Sequence, residues 1–286
     1  MKALAALAAV AALLLPGAAG SAKPPFSHAV VIVFENTEVN RLVGHPEAPT
    51  FNSLARRGAF LSQYTAVAHP SLPNYLALVS GSTHGITNDC TECLVPGRSL
   101  AQTLTAAHRT WKTYAEGLPK AGWTGGGSGA YAKKHDPFLY FRGVVGRPSQ
   151  RKRVVPLARL RADLSAQRLP DFSLVVPNLC HDMHDCSIAD GDAWLRHWLE
   201  PLIASKALAH GVVFVLFDEG SSSSNVGGGG RVAAYAVGPA VRPGTTVRRP
   251  VSHYNVLATI EAAWGLPRLG KSARAAPLAG IWRGGN

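Results

Sequence analysis

The sequence predicts an α/β fold in which a mostly parallel central sheet is flanked by helices. Two apolar, β-branched runs, at residues 29–34 and 211–217, are typical of strands buried on both faces of a sheet. Segments with helical spacing alternate with such strands along the chain, which favours parallel pairing. The 286 residues, 47% of them apolar, contain no repeat and no linker that would divide them, so a single large domain is predicted.

Residues 1–22 are predicted to be a secretory signal peptide, and residues 23–286 to be the folded domain. Lys2 is followed by an apolar run to Leu15, and small residues lead up to Ala22. The run is too short to span a bilayer, and the small residues suit a cleavage site. We therefore expect a secreted protein, located in the periplasm or outside the cell.

The remaining elements are predicted from apolar spacing, from capping residues and from glycines that end helices. In chain order they are a helix at 50–57, a strand at 60–67, helices at 71–80 and 99–108, strands at 110–114 and 171–176, a helix at 191–205, a strand at 232–237 and a helix at 252–264. Residues 117–140, rich in glycine, proline and aromatics, predict a long surface loop that is a candidate for the pocket rim, without a phosphate-cradle role. Residues 221–230 predict a turn or mobile flap and not a P-loop, because the Gly-Lys-Ser/Thr ending is missing.

The four cysteines are predicted to form disulfides, because disulfides are favoured outside the cytosol. Cys90 and Cys93 are separated by two residues, and Cys180 and Cys186 by five. Four cysteines allow three connectivities, of which the local one, Cys90–Cys93 with Cys180–Cys186, is preferred. Such short loops fix the local backbone shape more than they restrict the unfolded chain.

The formal net charge of +12 favours anionic partners such as phosphoesters, acidic lipid headgroups or nucleic acid. The charge alone does not choose among them. The basic segment at 147–161 is either a patch for acidic substrates or lipid headgroups, or a solvated loop and helix face.

A nucleophile is predicted at Ser71, where a helix begins and runs until Gly81. The free N–H groups of a helix start and its dipole favour an anion. Asn74 is predicted to offer its amide to the same anion. A hydroxyl, a helix start and an amide donor form a plausible site for attack on phosphorus. The alternative is that Ser71 is only a helix cap and Asn74 a surface amide.

Acidic and amide side chains follow two of the buried strands. Glu35 and Asn36 come after the first strand, and Asp218 and Glu219 after the strand at 211–217. In a doubly wound fold these strand ends share one crevice with the start of the Ser71 helix. Oxygen ligands of this kind suit a hard divalent ion, Mg²⁺ or Ca²⁺ with Mn²⁺ as a further candidate, better than zinc.

Several histidines are candidates for contacts with the phosphate. His184 and His253 are predicted to bind phosphate oxygens or to protonate the leaving alkoxide. His69, His181 and Asp182 are predicted to contribute to substrate binding. Which of His181 and His184 faces the pocket stays open, since the two residues are three positions apart.

Together these segments resemble the bacterial secreted phosphoesterase family, which contains acid phosphatases and phospholipases C within the alkaline-phosphatase-like superfamily. The similar segments are VIVFEN at 31–36, HPSLPNYLALVSGSTHGI at 69–86, PNLCHDMHDCS at 177–187, FDEG at 217–220 and SHYNVLATIEAAWG at 252–265. The resemblance implies one alkaline-phosphatase-like phosphoesterase domain over residues 23–286. It also implies that Ser71 becomes phosphorylated, that Glu35, Asn36, Asp218 and Glu219 contact metal, and that His184 and His253 lie near the phosphate.

The Ser-Leu-Pro-Asn segment is also similar to the Thr-x-Pro-Asn segment of nucleotide pyrophosphatases. Those enzymes use Asp-His where this chain has Asp218-Glu219, which disfavours a two-zinc site. The compact CHDMHDC form is most similar to secreted acid phosphatases, some of which act on phosphoinositides. Phosphomonoester hydrolysis is therefore the predicted function, with a phospholipase C as the alternative.

An alternative of another class is a non-catalytic exported binder of acidic lipids or phosphorylated glycans. The complete set of nucleophile and ligand candidates argues against it. The expected partners are a small-molecule or lipid phosphoester and, peripherally, an anionic membrane surface. No nucleic-acid partner is expected, and a monomer is predicted.

Overall fold

The computed structural model describes residues 24–221 and 223–284, so the predicted signal peptide lies outside the described residues. An eight-stranded sheet forms the centre of the fold, and its strand order is β11-β2-β10-β9-β1-β8-β4-β7. The strands are β1 (His28–Phe34), β2 (Ala59–Leu61), β3 (Tyr64–Thr65), β4 (Trp111–Ala115), β5 (Gly127–Ser128), β6 (Tyr131–Ala132), β7 (Val154–Pro156), β8 (Phe172–Val176), β9 (Gly211–Phe217), β10 (Ala234–Val237), β11 (Thr245–Val247) and β12 (Val251–Ser252).

Parallel pairing around β1 dominates the sheet. β1 pairs in parallel with β8 on one side and with β9 on the other, and β4 continues the parallel order to β7. β10 is antiparallel to both β9 and β2. All of β9, and all of β1 after His28, is buried, which explains their nearly unbroken apolar sequences. The predicted mostly parallel α/β fold is confirmed.

Helices cover both faces of this sheet. They are α1 (Val39–Leu42), α2 (Pro49–Arg57), α3 (Ser71–Ser80), α4 (Leu100–Ala106), α5 (Arg142–Val145), α6 (Pro148–Arg151), α7 (Ala158–Ser165), α8 (Ile188–Ala204) and α9 (His253–Ala263). On β4, Trp111 bonds to Thr105 of α4, whereas Tyr114 bonds to Asp163 of α7. Residues 111 and 114 point to opposite faces of a strand, so α4 and α7 lie on opposite sides of the sheet.

Helix α3 has the bounds that its sequence predicts. All ten of its residues are buried, and Gly81 follows it in the left-handed conformation, with φ 71°. A side chain at Gly81 would place its Cβ 1.9 Å from the carbonyl oxygen of Leu269, so glycine is required there. By contrast, α8 begins at Ile188, before the predicted start at residue 191, because Ser187 and Asp190 form a capping box.

Two predictions of local structure are wrong, and two edge strands were not predicted. The strand predicted at 60–67 is divided into β2 and β3. The edge strands β7 and β11 were not predicted, because three residues are too few to show a periodic pattern. Residues 117–140 are not simply a surface loop, since two 3₁₀ helices, Lys133–His135 and Pro137–Tyr140, are largely buried there.

Both predicted disulfides are present, Cys90–Cys93 and Cys180–Cys186, and they leave no free cysteine in the described chain. The second bridge encloses residues 181–185. None of the described helices is both long enough and apolar enough to cross a bilayer.

Candidate active site

Two neighbouring strands bring the predicted acidic residues together. The last residue of β1, Phe34, lies opposite the last residue of β9, Phe217. Glu35 and Asp218 therefore leave the sheet side by side, at the carboxyl edge where open α/β sheets place their ligands. The backbone N–H of Asn36 donates to Asp218 Oδ1 at 3.3 Å, and Asn36 adopts a left-handed conformation, with φ 53°.

The hydroxyl of Ser71 points at these carboxylates. Its Oγ lies 2.8 Å from Glu35 Oε2 and 3.2 Å from Glu219 Oε1, and the side chain is buried. The N-cap of α3 is Pro70, and Ser71, the first residue of the helix, turns its hydroxyl to the two carboxylates. The hydroxyl has one proton and can donate to only one of these two oxygens. The other oxygen must carry a proton itself or lie beside a cation, because two oxygens with only lone pairs toward each other repel.

Burial and mutual repulsion perturb the three carboxyl groups. Burial raises the pKa of Glu35, and burial followed by the charge of Glu35 raises the pKa of Asp218 well above its ordinary value. Burial also raises the pKa of Glu219, although a contact with His69 opposes the increase. Asp218 Oδ2 is buried without a hydrogen-bond partner among the described residues. Such a cluster fits a hard divalent cation, which would neutralise the charges and occupy the free oxygen.

A buried histidine, His135, completes the inner side of the site. Its ring nitrogens lie 3.3 Å from Glu35 Oε1 and 3.1 Å from Asp182 Oδ2, and the ring stacks on Tyr75. Burial lowers the pKa of His135 to about 4. The hydroxyl of Tyr75 donates to Glu35 Oε1 at 2.6 Å. One oxygen of Glu35 is thus held by Tyr75 and faces His135, while the other faces Ser71. Among the described residues, His135 Nε2 and Asp182 Oδ2 have no hydrogen-bond partner, and Glu35, His135 and Asp182 place ligand atoms within 4.8 Å of one another.

Two further residues join the start of α3 to this cluster. The N–H of Leu72 donates to Asp89 Oδ1 at 2.9 Å, and Lys134 Nζ donates to Asp89 Oδ2 at 2.9 Å. Asp89, Lys134 and His135 are not among the site residues predicted from the sequence. The one available signal was the run KKHD at 133–136, which is charged within a loop of glycine and aromatic residues.

The second disulfide loop supplies Asp182 and His184 to the site. Asp182 is buried, its carbonyl accepts from the N–H of Glu35, and its Oδ1 accepts from the N–H of His184. Lys134 Nζ donates to His184 Nε2 at 3.3 Å. His181 instead points to Glu116, with 2.9 Å between Nδ1 and Oε2. His184 is thus the histidine of this loop that faces the site, and the predicted substrate contact of His181 does not fit.

His253 does not reach the site with a free nitrogen. Its ring is fully buried, with Nδ1 2.7 Å from the hydroxyl of Tyr64 and Nε2 2.7 Å from the backbone oxygen of Asp218. Burial lowers the pKa of His253 to about 4. Both nitrogens are occupied within the protein, so the predicted contact with phosphate does not fit. The ring instead fixes the backbone beside Asp218.

Asn74 also has a different position from the one predicted. Its Oδ1 accepts from the N–H groups of Val67 and Ala68, and its Nδ2 donates to the carbonyls of Ala68 and Pro70. These four hydrogen bonds use both amide hydrogens, which leaves none for an anion. Asn74 therefore holds the turn that leads into Ser71.

His69 lies at the open side of the site. Its Nδ1 contacts the carboxylate of Glu219, and its Nε2 lies 2.8 Å from the carbonyl oxygen of Ser224. This histidine joins a predicted metal ligand to the glycine- and serine-rich segment at 221–230. Its predicted role in substrate binding would require one of these contacts to open.

The known proteins to which this chain is similar are phosphoesterases, as the arrangement of the site residues suggests. Residues 45–267 match the sequence model of the Phosphoesterase family. A phosphatidylinositol-3-phosphatase from Mycobacterium tuberculosis is 38% identical, over 98% of this chain and 94% of its own length. A phosphate-repressible acid phosphatase from Penicillium chrysogenum is 31% identical, over 86% of this chain and 61% of its own length.

A solved structure of an alkaline phosphatase superfamily protein from Vibrio parahaemolyticus shares the fold. Its TM-score is 0.60 at 14% identity, over 89% of this chain and 71% of that one. The chain therefore belongs to the phosphoesterase family and is a phosphoric ester hydrolase with the fold of the alkaline phosphatase superfamily.

Proposed function

We propose that this chain is an exported phosphatase that hydrolyses phosphomonoesters, including phosphoinositides, with Ser71 as the nucleophile. The observation that supports this most directly is the position of Ser71 Oγ, which lies within 3.2 Å of carboxyl oxygens of both Glu35 and Glu219. A hydroxyl aimed into an acidic cluster needs a nearby cation to act on an anionic phosphate. The family relatives named acid phosphatase and phosphatidylinositol-3-phosphatase support the choice of monoesters.

Glu35, Asn36, Asp218 and Glu219 would hold a hard divalent cation, Mg²⁺ or Ca²⁺, with Mn²⁺ as a further candidate. When bound, the ion would lower the pKa of the Ser71 hydroxyl and neutralise charge on the phosphoryl group. The unpartnered Oδ2 of Asp218 and the raised pKa values of Glu35 and Asp218 support this ligand set.

The chain's own residues would carry the proton transfers. Ser71 loses its proton to one of its two carboxylate neighbours, and its Oγ bonds to phosphorus while the bond between phosphorus and the ester oxygen breaks. His184 would protonate the leaving alkoxide from Nε2 once that nitrogen carries a proton and no longer accepts from Lys134, while Nδ1 stays paired with Asp185 at 2.6 Å. Water then attacks the phosphoserine, His184 takes the proton of the water, and the carboxyl group returns its proton to Ser71 Oγ as the bond between phosphorus and Oγ breaks and inorganic phosphate leaves.

Export and membrane contact belong to the same proposal. Two disulfides and the predicted signal peptide support export, since disulfides persist in oxidising compartments. The segment at 142–168 carries exposed arginines and lysines, and its one acid, Asp163, is buried against Lys112 and Tyr114. Such a surface supports peripheral contact of a monomer with anionic lipids.

The test compares the purified secreted protein with Ser71→Ala, and with Ser149→Ala, at an exposed serine, as the matched control. Substrates are p-nitrophenyl phosphate, a phosphoinositide monoester and a phosphodiester. Wild type should hydrolyse both monoesters, and S149A should match it on p-nitrophenyl phosphate, which needs no lipid surface, whereas S71A should lose about 10⁴-fold or more in kcat on both. An S71A variant that keeps more than about a tenth of wild-type kcat would contradict the nucleophile assignment. Faster turnover of the diester would favour a phospholipase C.

A further inference from the structure

Lys134 brings a positive charge to the edge of the site. Its Nζ donates to Asp89 Oδ2 at 2.9 Å and to His184 Nε2 at 3.3 Å. Its side chain is 19% exposed, so the ammonium group keeps access to solvent. His135, the next residue, is buried between Glu35 and Asp182. Lys134 is therefore one residue away from a side chain that contacts Glu35, the carboxylate that accepts from Ser71 Oγ.

Asp89 connects this ammonium group to the nucleophile's helix. One carboxylate oxygen accepts from Lys134, and the other accepts from the N–H of Leu72, the residue after Ser71. Two hydrogen bonds thus separate Lys134 Nζ from the first turn of α3. A phosphate attacked by Ser71 would lie in front of that turn, beside Glu35 and Asp218, whose charges act on Lys134.

The ammonium group of Lys134 is stabilised in its charged form and interacts with the carboxylates of the site. Burial lowers the pKa of Lys134, but the hydrogen bond and charge of Asp89, together with the charges of Glu35 and Asp218, outweigh burial and raise it. The same positive charge acts against the increase in the pKa of Glu35 and of Asp182. Lys134 is therefore cationic at neutral pH and interacts electrostatically with the carboxylates around Ser71.

We propose that Lys134 binds the phosphate group of the substrate and selects monoesters over diesters, with Asp89 as its positioning residue. This inference rests on the proposed function. A monoester carries close to two negative charges near neutral pH, because its second pKa is about 6, whereas a diester carries one. A cation placed beside the phosphate stabilises the doubly charged group more strongly. Lys134 therefore favours monoesters over diesters, and its charge acts on the phosphate together with the predicted metal ion.

The experiment measures kcat/KM for p-nitrophenyl phosphate and for bis(p-nitrophenyl) phosphate, in the metal-loaded protein. Lys134→Met removes the charge and keeps the length of the side chain, and Lys134→Arg keeps the charge. Lys120→Met, an exposed lysine in the same loop, is the matched control. K134M should lose about 100-fold on the monoester and less than about 10-fold on the diester. K134R should keep most of the selectivity, and K120M should resemble wild type.

Asp89→Asn tests the positioning role. The amide oxygen can still accept from the N–H of Leu72, while the ion pair with Lys134 is lost. The monoester-to-diester ratio should therefore fall in D89N, in the same direction as in K134M but by less. Unfolding midpoints and metal content should stay at wild-type values in all variants. Equal losses on both esters, or an unchanged ratio in K134M, would overturn the proposal.

A titration with inorganic phosphate separates this inference from the proposed function. In metal-loaded protein, calorimetry should show at least about 10-fold weaker phosphate binding to K134M than to wild type or K120M. If wild type hydrolyses neither ester, the proposed function fails, and this titration alone decides the role of Lys134. If wild type hydrolyses the monoester and K134M binds phosphate normally, the inference fails while the proposed function stands.

Discussion

Substitution of Asp218 by asparagine should have opposite effects on the metal-free and the metal-bound protein. Asp218 Oδ1 accepts from the N–H groups of Glu219 and Asn36, and an asparagine oxygen can keep both contacts. The unpartnered Oδ2 becomes an NH₂ group, which can donate to the neighbouring carboxylate of Glu35. The substitution therefore removes a buried ionisable group without removing a hydrogen bond.

The expected magnitude comes from the charges around Ser71. Two unit charges about 4 Å apart interact by about 4 kcal/mol at an effective dielectric of about 20. Without metal, Asp218 near neutral pH must either stay protonated or repel Glu35, and both cost stability; D218N avoids this cost and should raise the free energy of unfolding by up to this amount. With metal, the same substitution removes an attraction of similar size, so the affinity for the cation should fall by about 10- to 1000-fold.

The sign of the pH dependence follows from the raised pKa of Asp218. A carboxyl group whose pKa is raised by folding stays protonated in the folded state while the unfolded chain ionises. Metal-free wild type should therefore lose stability as the pH rises above about 4, the ordinary pKa of an aspartate. D218N lacks this loss, so the difference between the two proteins should vanish at low pH and grow toward neutrality.

The assay is urea unfolding of chelated wild type, D218N and Glu47→Gln at several pH values, with calorimetric metal titration of each. Glu47 is exposed, so E47Q controls for the loss of one negative charge. A chelated D218N that is less stable than chelated wild type near pH 7 would refute the reasoning. The reasoning would also be refuted if D218N bound Mg²⁺, Ca²⁺ and Mn²⁺ with the same affinity as wild type.

Three further predictions concern groups near the site. The Cys180→Ser/Cys186→Ser double variant should lose about 2 kcal/mol of stability, and its kcat/KM should fall, because the carbonyl of Asp182 in this loop accepts from the N–H of Glu35. Unchanged kcat/KM in the folded variant would contradict this. Burial raises the pKa of Asp136 to about 8, so the free energy of unfolding of wild type should fall by up to about 4 kcal/mol between about pH 4 and pH 7. Asp136→Asn should remove this decrease in urea unfolding, and an identical pH slope in D136N would contradict the prediction. His253→Phe should lower metal affinity without changing the pH profile of kcat, because the ring contacts only the backbone oxygen of Asp218 near the site. If the variant instead lost the acidic or the basic side of that pH profile, His253 would be a catalytic acid or base.

Local patterns were sufficient to predict the elements that carry most of the site. β1 and β9 are long, apolar and buried on both faces, and α3 has both a clear start and a glycine end. Because parallel strands end at one edge of a sheet, the proximity of Glu35 and Asp218 follows from those elements alone. The edge strands β7 and β11 are too short to show any period.

Side-chain contacts that depend on tertiary packing could not be predicted. Lys134 and His135 lie in a segment without periodicity, and their burial depends on α3 and the second disulfide loop packing around them. For His253 and Asn74 the sequence shows a helix start, but not the direction of the ring or of the amide. Both side chains are turned inward, to Tyr64 and to the turn before Ser71.

The covalent step at Ser71 is the central claim, and trapping it is the most direct test. Metal-loaded protein is mixed with excess p-nitrophenyl phosphate, quenched in acid during turnover, digested and analysed by mass spectrometry. We predict phosphate on the peptide that contains Ser71, in an amount that matches the burst of nitrophenol. Phosphate on another side chain, such as His184, or an unmodified Ser71 in enzyme that shows a burst, would contradict the account.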